Sequence, residues 1–261
     1  MRKLGKKNGF TVEFKARRNE LVTDNLAGQM NEANTLLKSF FPAIFVRHYS
    51  FIDFEKFGFE WRPDWFNVIR NPVEKVISYF YYRRAPWKLK LEQNLFHDFT
   101  MPSEDFMNKD LTTCILDESD PECRFVDGEP IGLYGNHAIM QFCGHDPYCT
   151  LFNNEQALAK AKNNVEQFFP VVGLVENMTM TLSVAESVMP EYFKGARKAY
   201  FEDPKIMEPK NANPSKPKVT QKIKDILTKK FRLELEFYEF CKRRLYSQYN
   251  SIKANKLPSN L

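Results

Sequence analysis

FNVIRNPVEKVISYFYYRR, residues 66–84, switches from one periodicity to another near its centre. Phe66–Ile69 is a short apolar run closed by Arg70-Asn71-Pro72, which suits a buried parallel strand. Pro72 fits the first position of a helix with Asn71 as its N-cap. Val73, Val76, Ile77 and Phe80 recur at helical spacing and make that helix's core face. A helix N-terminus at the carboxyl end of a parallel strand is a natural anion site. Arg70 adds a guanidinium able to grip a phosphate through two hydrogen bonds. Ser78, about two turns further on, offers a hydroxyl. On these residues alone, a surface arginine paired with some carboxylate is the plainer alternative.

The same alternation extends outward from this unit. Residues 11–14, 43–51 (with an exit loop) and 169–174 read as strands. Residues 26–40, 154–168, 178–189 and 220–245 read as helices. Residues 85–150 read as irregular, and 204–218 as a long loop with four prolines and four lysines. Strands alternating with helices imply the α/β class, a parallel sheet flanked by helices, in one domain over residues 1–261.

A chain of 261 residues with 43% hydrophobic content can bury a sizeable core. The net charge of +5 fits either an ordinary soluble surface or a basic cleft for an anionic ligand. No apolar run of about 18 residues exists, so no segment is suited to cross a membrane as a helix. MRKLGKKNGF at the N-terminus lacks the apolar core of a secretory signal, which by itself points to the cytosol. The five cysteines point elsewhere. Cys114/Cys123 and Cys143/Cys149 each flank a short turn-rich loop that a disulfide could close in an oxidising compartment. Buried free thiols and a metal site are the alternatives, although no CxxC knuckle is present. Cys241 sits in an apolar helical pattern as a buried thiol. Asn177-Met178-Thr179 is a glycosylation sequon placed within a helix.

VIRNPVEKVISYFYYRR is similar to the VIRDP-x-x-R-x-x-SYY motif of the glycosaminoglycan 2-O-sulfotransferases, which act on uronic acid residues. Further ordered segments resemble the same family. They are FVRHYSFIDFEKF (45–57), QFCGHDPYC (141–149), PVVGLVE (170–176), MPEYFKG (189–195) and EFYEF (236–240). The resemblance implies a P-loop-type sulfotransferase fold and 3′-phosphoadenosine 5′-phosphosulfate as sulfate donor. It also implies a Golgi-lumenal type II membrane protein in full length, a glycosaminoglycan as partner and a possible homo-oligomer, with no nucleic acid and no metal. Carried over residue by residue, Arg70 and Ser78 would bind the donor's 3′-phosphate, and His48 would be the general base. Tyr79 would touch the acceptor sugar. Arg83, Arg84, Lys88 and Lys90 form a basic run that would meet the polymer; a charge run is otherwise a solvated face. His48 would otherwise be a core histidine between Phe45 and Phe51. Lys205, Lys210, Lys216 and Lys218 fall in a loop that closes over the nucleotide in the family. The implied reaction is an in-line sulfuryl transfer, in which the acceptor oxygen attacks sulfur as the phosphate oxygen leaves. The protein mainly positions groups and neutralises charge.

The chain also departs from the family. No PKxxST-like or GKxxS-like 5′-phosphosulfate loop is present, and residues 1–10 resemble the helix that should follow it. The first strand and that loop are therefore expected to be missing, from an N-terminally truncated or a divergent member. Asn71 also replaces the usual Asp. Alternatives in function are a catalytically inactive homologue that binds sulfated polysaccharide or scaffolds active enzymes, and a cytosolic nucleotide-binding protein, which the paired cysteines disfavour.

Overall fold

The computed structural model describes residues 1–14, 25–39, 41–48, 50–130, 137–203 and 217–254. Among the described residues four short strands carry the sheet structure: β1 (Thr11–Phe14), β2 (Ala43–Val46), β3 (Phe66–Ile69) and β4 (Val171–Leu174). They pair in parallel as β1–β2 and β3–β4. In the second pair Phe66 stands opposite Val171 and Ile69 opposite Leu174. The α/β reading with parallel pairing holds. A single continuous sheet does not: among the described residues no ladder joins the two pairs, and side-chain packing couples them instead. Phe51, beyond β2, packs on Trp65, just before β3, at 5.3 Å between ring centroids.

The helices are α1 (Arg2–Asn8), α2 (Leu26–Leu37), α3 (Pro72–Arg83), α4 (Pro86–Leu95), α5 (Glu104–Asn108) and α6 (Leu111–Leu116). There follow α7 (Ala138–Cys143), α8 (Glu155–Phe168), α9 (Met178–Val188), α10 (Pro190–Phe193), α11 (Ala196–Phe201), α12 (Gln221–Lys230) and α13 (Arg232–Ala254). Residues 85–150, expected to be irregular, carry α4 to α7. These helices are short, and the apolar residues of α6 and α7 face two separate cores, so no long periodicity advertises them. The helix expected over 220–245 is two helices broken at Phe231, whose backbone (φ −93°, ψ 35°) leaves the helical region and whose ring is fully buried. Of the loop expected over 204–218, residues 204–216 lie outside the described residues.

The main core gathers β3 and β4 with α7, α8, α9 and α13. A second core holds the inner face of α3 (Val73, Val76, Ile77 and Phe80) against Phe125, Phe152, Ile223, Leu227 and Phe231. A third joins Ala33 and Leu36 of α2 to Ile52 and Phe54. Both expected disulfides are formed, Cys114–Cys123 and Cys143–Cys149, with Cα separations of 5.5 and 5.6 Å. Cys241 is a buried free thiol, and burial pushes its pKa up to about 12. Asn177 stands at the head of α9 as its N-cap, accepting from the Met180 amide at 3.0 Å, one turn earlier than a mid-helix position. Among the described residues no helix is long and apolar enough to cross a membrane.

Candidate functional site

β3 delivers Arg70 at its carboxyl end, where the chain turns directly into α3. The Asn71 carboxamide oxygen accepts from the Val73 and Glu74 amides at 3.0 and 3.3 Å, with Pro72 at the first helical position. Glu176, following β4, accepts from the Asn71 amide at 2.7 Å and from the Tyr238 hydroxyl at 3.2 Å. The junction is therefore tied to both β4 and α13. Arg70 is half-buried and has no hydrogen bond or ion pair among the described residues. The Ser78 hydroxyl likewise has no partner there, not even the helix carbonyl one turn back.

Arg70 lies at a small cleft lined also by Lys75, Tyr79, His137, Glu234 and Tyr238, over an apolar wall of Ile69, Pro72, Val76 and Ala138. Glu234 is buried and accepts from the amides of Ala138 and Ile139 at 3.0 and 3.1 Å. Burial raises its pKa to about 7, opposed by Lys75 and those two amides. Burial lowers Lys75, opposed by Glu234. Burial lowers His137 to about 3, with Lys75 adding to the effect, so this imidazole is neutral at physiological pH. Its Nε2 has no hydrogen-bond partner among the described residues. The Tyr238 phenol is pushed upward by burial and by the Glu176 carboxylate. Sequence reasoning missed Lys75, His137, Glu234 and Tyr238. Lys75 could have been found, since it precedes Tyr79 by one helical turn on the cleft face.

His48 follows β2, exposed to solvent, and is not among the residues lining the Arg70 cleft. The core-histidine alternative is excluded by that exposure. The segment just after it is anchored to α7. The Phe51 amide donates to the Gln141 carbonyl at 2.7 Å. Gly144, at φ +105°, would place a Cβ only 3.0 Å from the Phe51 carbonyl oxygen, so the loop closed by Cys143–Cys149 needs glycine there. The histidine segment and the cleft thus share α7, whose preceding residue is His137.

The basic run separates into different roles. Arg84, expected at the acceptor, is buried. It donates to the Phe106 and Phe80 carbonyls at 2.8 and 3.0 Å and to Glu122 at 2.7 Å. Its guanidinium stacks over Phe80 and Phe106. It belongs to the framework because its helical position points into the second core. Arg83 is half-buried, 3.4 Å from Glu122, and Lys88 pairs with Glu92 at 2.7 Å. Lys90 is exposed. Cys114, Asp120 and Glu122 lie close enough together to suggest a metal site. The thiol is committed to the disulfide, and both carboxylates pair with cations. Lys205, Lys210 and Lys216 lie outside the described residues; Lys218 is exposed.

No family model matches the chain. Individual relatives do. It is 38% identical over 265 residues to the uronyl 2-sulfotransferase homolog pip of Drosophila melanogaster, covering 98% of this chain and 51% of that protein. It is 32% identical over 259 residues to human uronyl 2-sulfotransferase, covering 94% and 58%. It is 29% identical over 216 residues to heparan sulfate 2-O-sulfotransferase 1 of Xenopus laevis, covering 82% and 55%. The chain spans about half the length of the curated relatives it matches. Over most of its own length, the chain is a homologue of the uronyl and heparan sulfate 2-O-sulfotransferases.

Proposed function

We propose that the protein transfers a sulfuryl group from 3′-phosphoadenosine 5′-phosphosulfate to the 2-hydroxyl of uronic acid residues in a glycosaminoglycan. The observation that carries this reading is the β3–α3 junction. It holds an arginine and, two turns on, a serine hydroxyl, both without partners among the described residues, in a chain whose relatives are named for this chemistry. An unpaired guanidinium beside a capped helix start is matched to a dianionic phosphate. In this reading Arg70 and Ser78 hold the donor's 3′-phosphate, and Tyr79 meets the acceptor sugar. His48 takes the proton from the attacking hydroxyl as general base. The two disulfides suit an oxidising compartment such as the Golgi lumen.

Arg70→Ala tests the reading. Loss of a charge-assisted contact should weaken binding of the desulfated nucleotide by about 1.5–3 kcal/mol in calorimetry, and transfer of labelled sulfate should fall with it. Unchanged nucleotide affinity would remove Arg70 from the site. The second reading, a non-catalytic homologue that binds sulfated polysaccharide, is favoured by one observation: His48 does not line the Arg70 cleft. Polysaccharide binding without any transfer, from a protein that still binds the nucleotide, would establish it.

A further inference from the structure

The side of α3 that leaves the cleft is aromatic. Tyr79 lines the cleft, and Tyr82 follows it at 6.4 Å between ring centroids, 27° from parallel. Tyr82 in turn meets Trp87 of α4 edge-on at 5.7 Å. The three rings form a row that begins at the cleft and turns the α3–α4 corner, where Trp87 is 37% exposed. Single exposed aromatic residues need no explanation, but a connected row continuous with a cleft does.

The charges beside this row are in excess on the positive side. Arg83 reaches the Tyr79 ring at 5.9 Å and shares Glu122 with Arg84 and Lys109. Lys109 also pairs with Asp120, so three cations face two carboxylates. Lys90 on α4 is exposed and has no ion pair among the described residues. Lys88 lies 5.3 Å from the Tyr82 ring centroid, its charge matched by Glu92.

We infer that Tyr79, Tyr82 and Trp87 form a stacking platform for a chain of pyranose rings bearing acidic groups, which runs from the cleft across the α3–α4 corner. The inference rests on the reading of the protein as acting on polysaccharide. The C–H faces of a pyranose are apolar and weakly positive, and they lie flat on the negative face of an aromatic ring. The acidic groups project from the ring edges, where Arg83 and Lys90 can neutralise them. Since Arg84 is internal and Lys88 is paired, binding strength comes from the rings more than from the basic run.

The test uses Trp87→Ala, Tyr82→Ala and Trp87→Phe, each with its melting temperature measured, titrated with a size-defined desulfated heparin oligosaccharide. Each alanine variant should bind it about tenfold more weakly, the value of one stacked ring at about 1.4 kcal/mol. Trp87→Phe should retain most of the affinity. Added salt should weaken wild type and Trp87→Ala in parallel, because the lost part is not ionic. Affinity within twofold of wild type in both alanine variants overturns the platform, and so does a wild-type protein that binds no oligosaccharide. Weakened binding in a protein that performs no sulfuryl transfer upholds the platform and defeats the proposed activity. Transfer with unaltered oligosaccharide affinity in the variants defeats the platform alone.

Discussion

Replacing Arg84 by alanine removes a guanidinium that makes three hydrogen bonds in the interior and fills the space between Phe80 and Phe106 at 3.7 and 4.1 Å. Glu122, itself only 3% exposed, loses its nearest cation. Breaking a buried pair from one side costs about 3–5 kcal/mol, because the remaining charge keeps its desolvation penalty. Here Arg83 and Lys109 both remain 3.4 Å from that carboxylate, which places the expected loss near the lower end, about 3 kcal/mol. Urea unfolding with both disulfides intact measures it, as a lower midpoint at unchanged slope. Arg84→Lys should recover less than half, since an ammonium cannot bridge the Phe106 carbonyl and Glu122 in one fork. A loss under about 1 kcal/mol, the range of exposed pairs, accompanied by weaker oligosaccharide binding, would refute the framework role and return Arg84 to the acceptor surface.

Three further outcomes are expected. Gly173→Ala would set a Cβ 2.2 Å from the Thr181 methyl, on a side chain whose hydroxyl clamps both backbone groups of Leu174. Thermal unfolding should show a loss of about 1–3 kcal/mol, relieved by adding Thr181→Ser, and no relief in the double variant would disprove the clash. Glu234 has its pKa raised from 4.5 to about 7, so it binds more protons folded than unfolded between those values. Its contribution is full below the lower value and is lost as pH rises through the upper one. Glu234→Gln should therefore flatten the fall in urea midpoint across that window, and an unchanged slope would exclude Glu234 as its source. In a longer protein that carries the 5′-phosphosulfate loop, His48→Ala should lower sulfate transfer by roughly 10²–10⁴-fold with nucleotide affinity nearly unchanged, and retained turnover would refute the base assignment.

The strand–arginine–helix unit at residues 66–84 was legible without any structure, because each of its signals is local. The apolar run, the Asn71 cap, Pro72 at the first helical position and the periodic apolar face all act within a few residues of one another. The two disulfide loops were legible for the same reason, each closing over a separation of 9 or 6 residues. What the tertiary structure alone decided involves partners far apart in sequence. Arg83 and Arg84 are adjacent and chemically identical, yet one is half-buried and the other internal, since a helix turns about 100° per residue and Glu122 lies 38 positions further on. The cleft is closed by Glu234 and His137 only because α13 crosses α3 and the start of α7. Two four-residue strand pairs formed in place of one sheet, because pairing depends on which edges the packed helices bring together. Local sequence set the capped junction, and long-range burial determined which charges became framework and which, Arg70 among them, have no partner among the described residues.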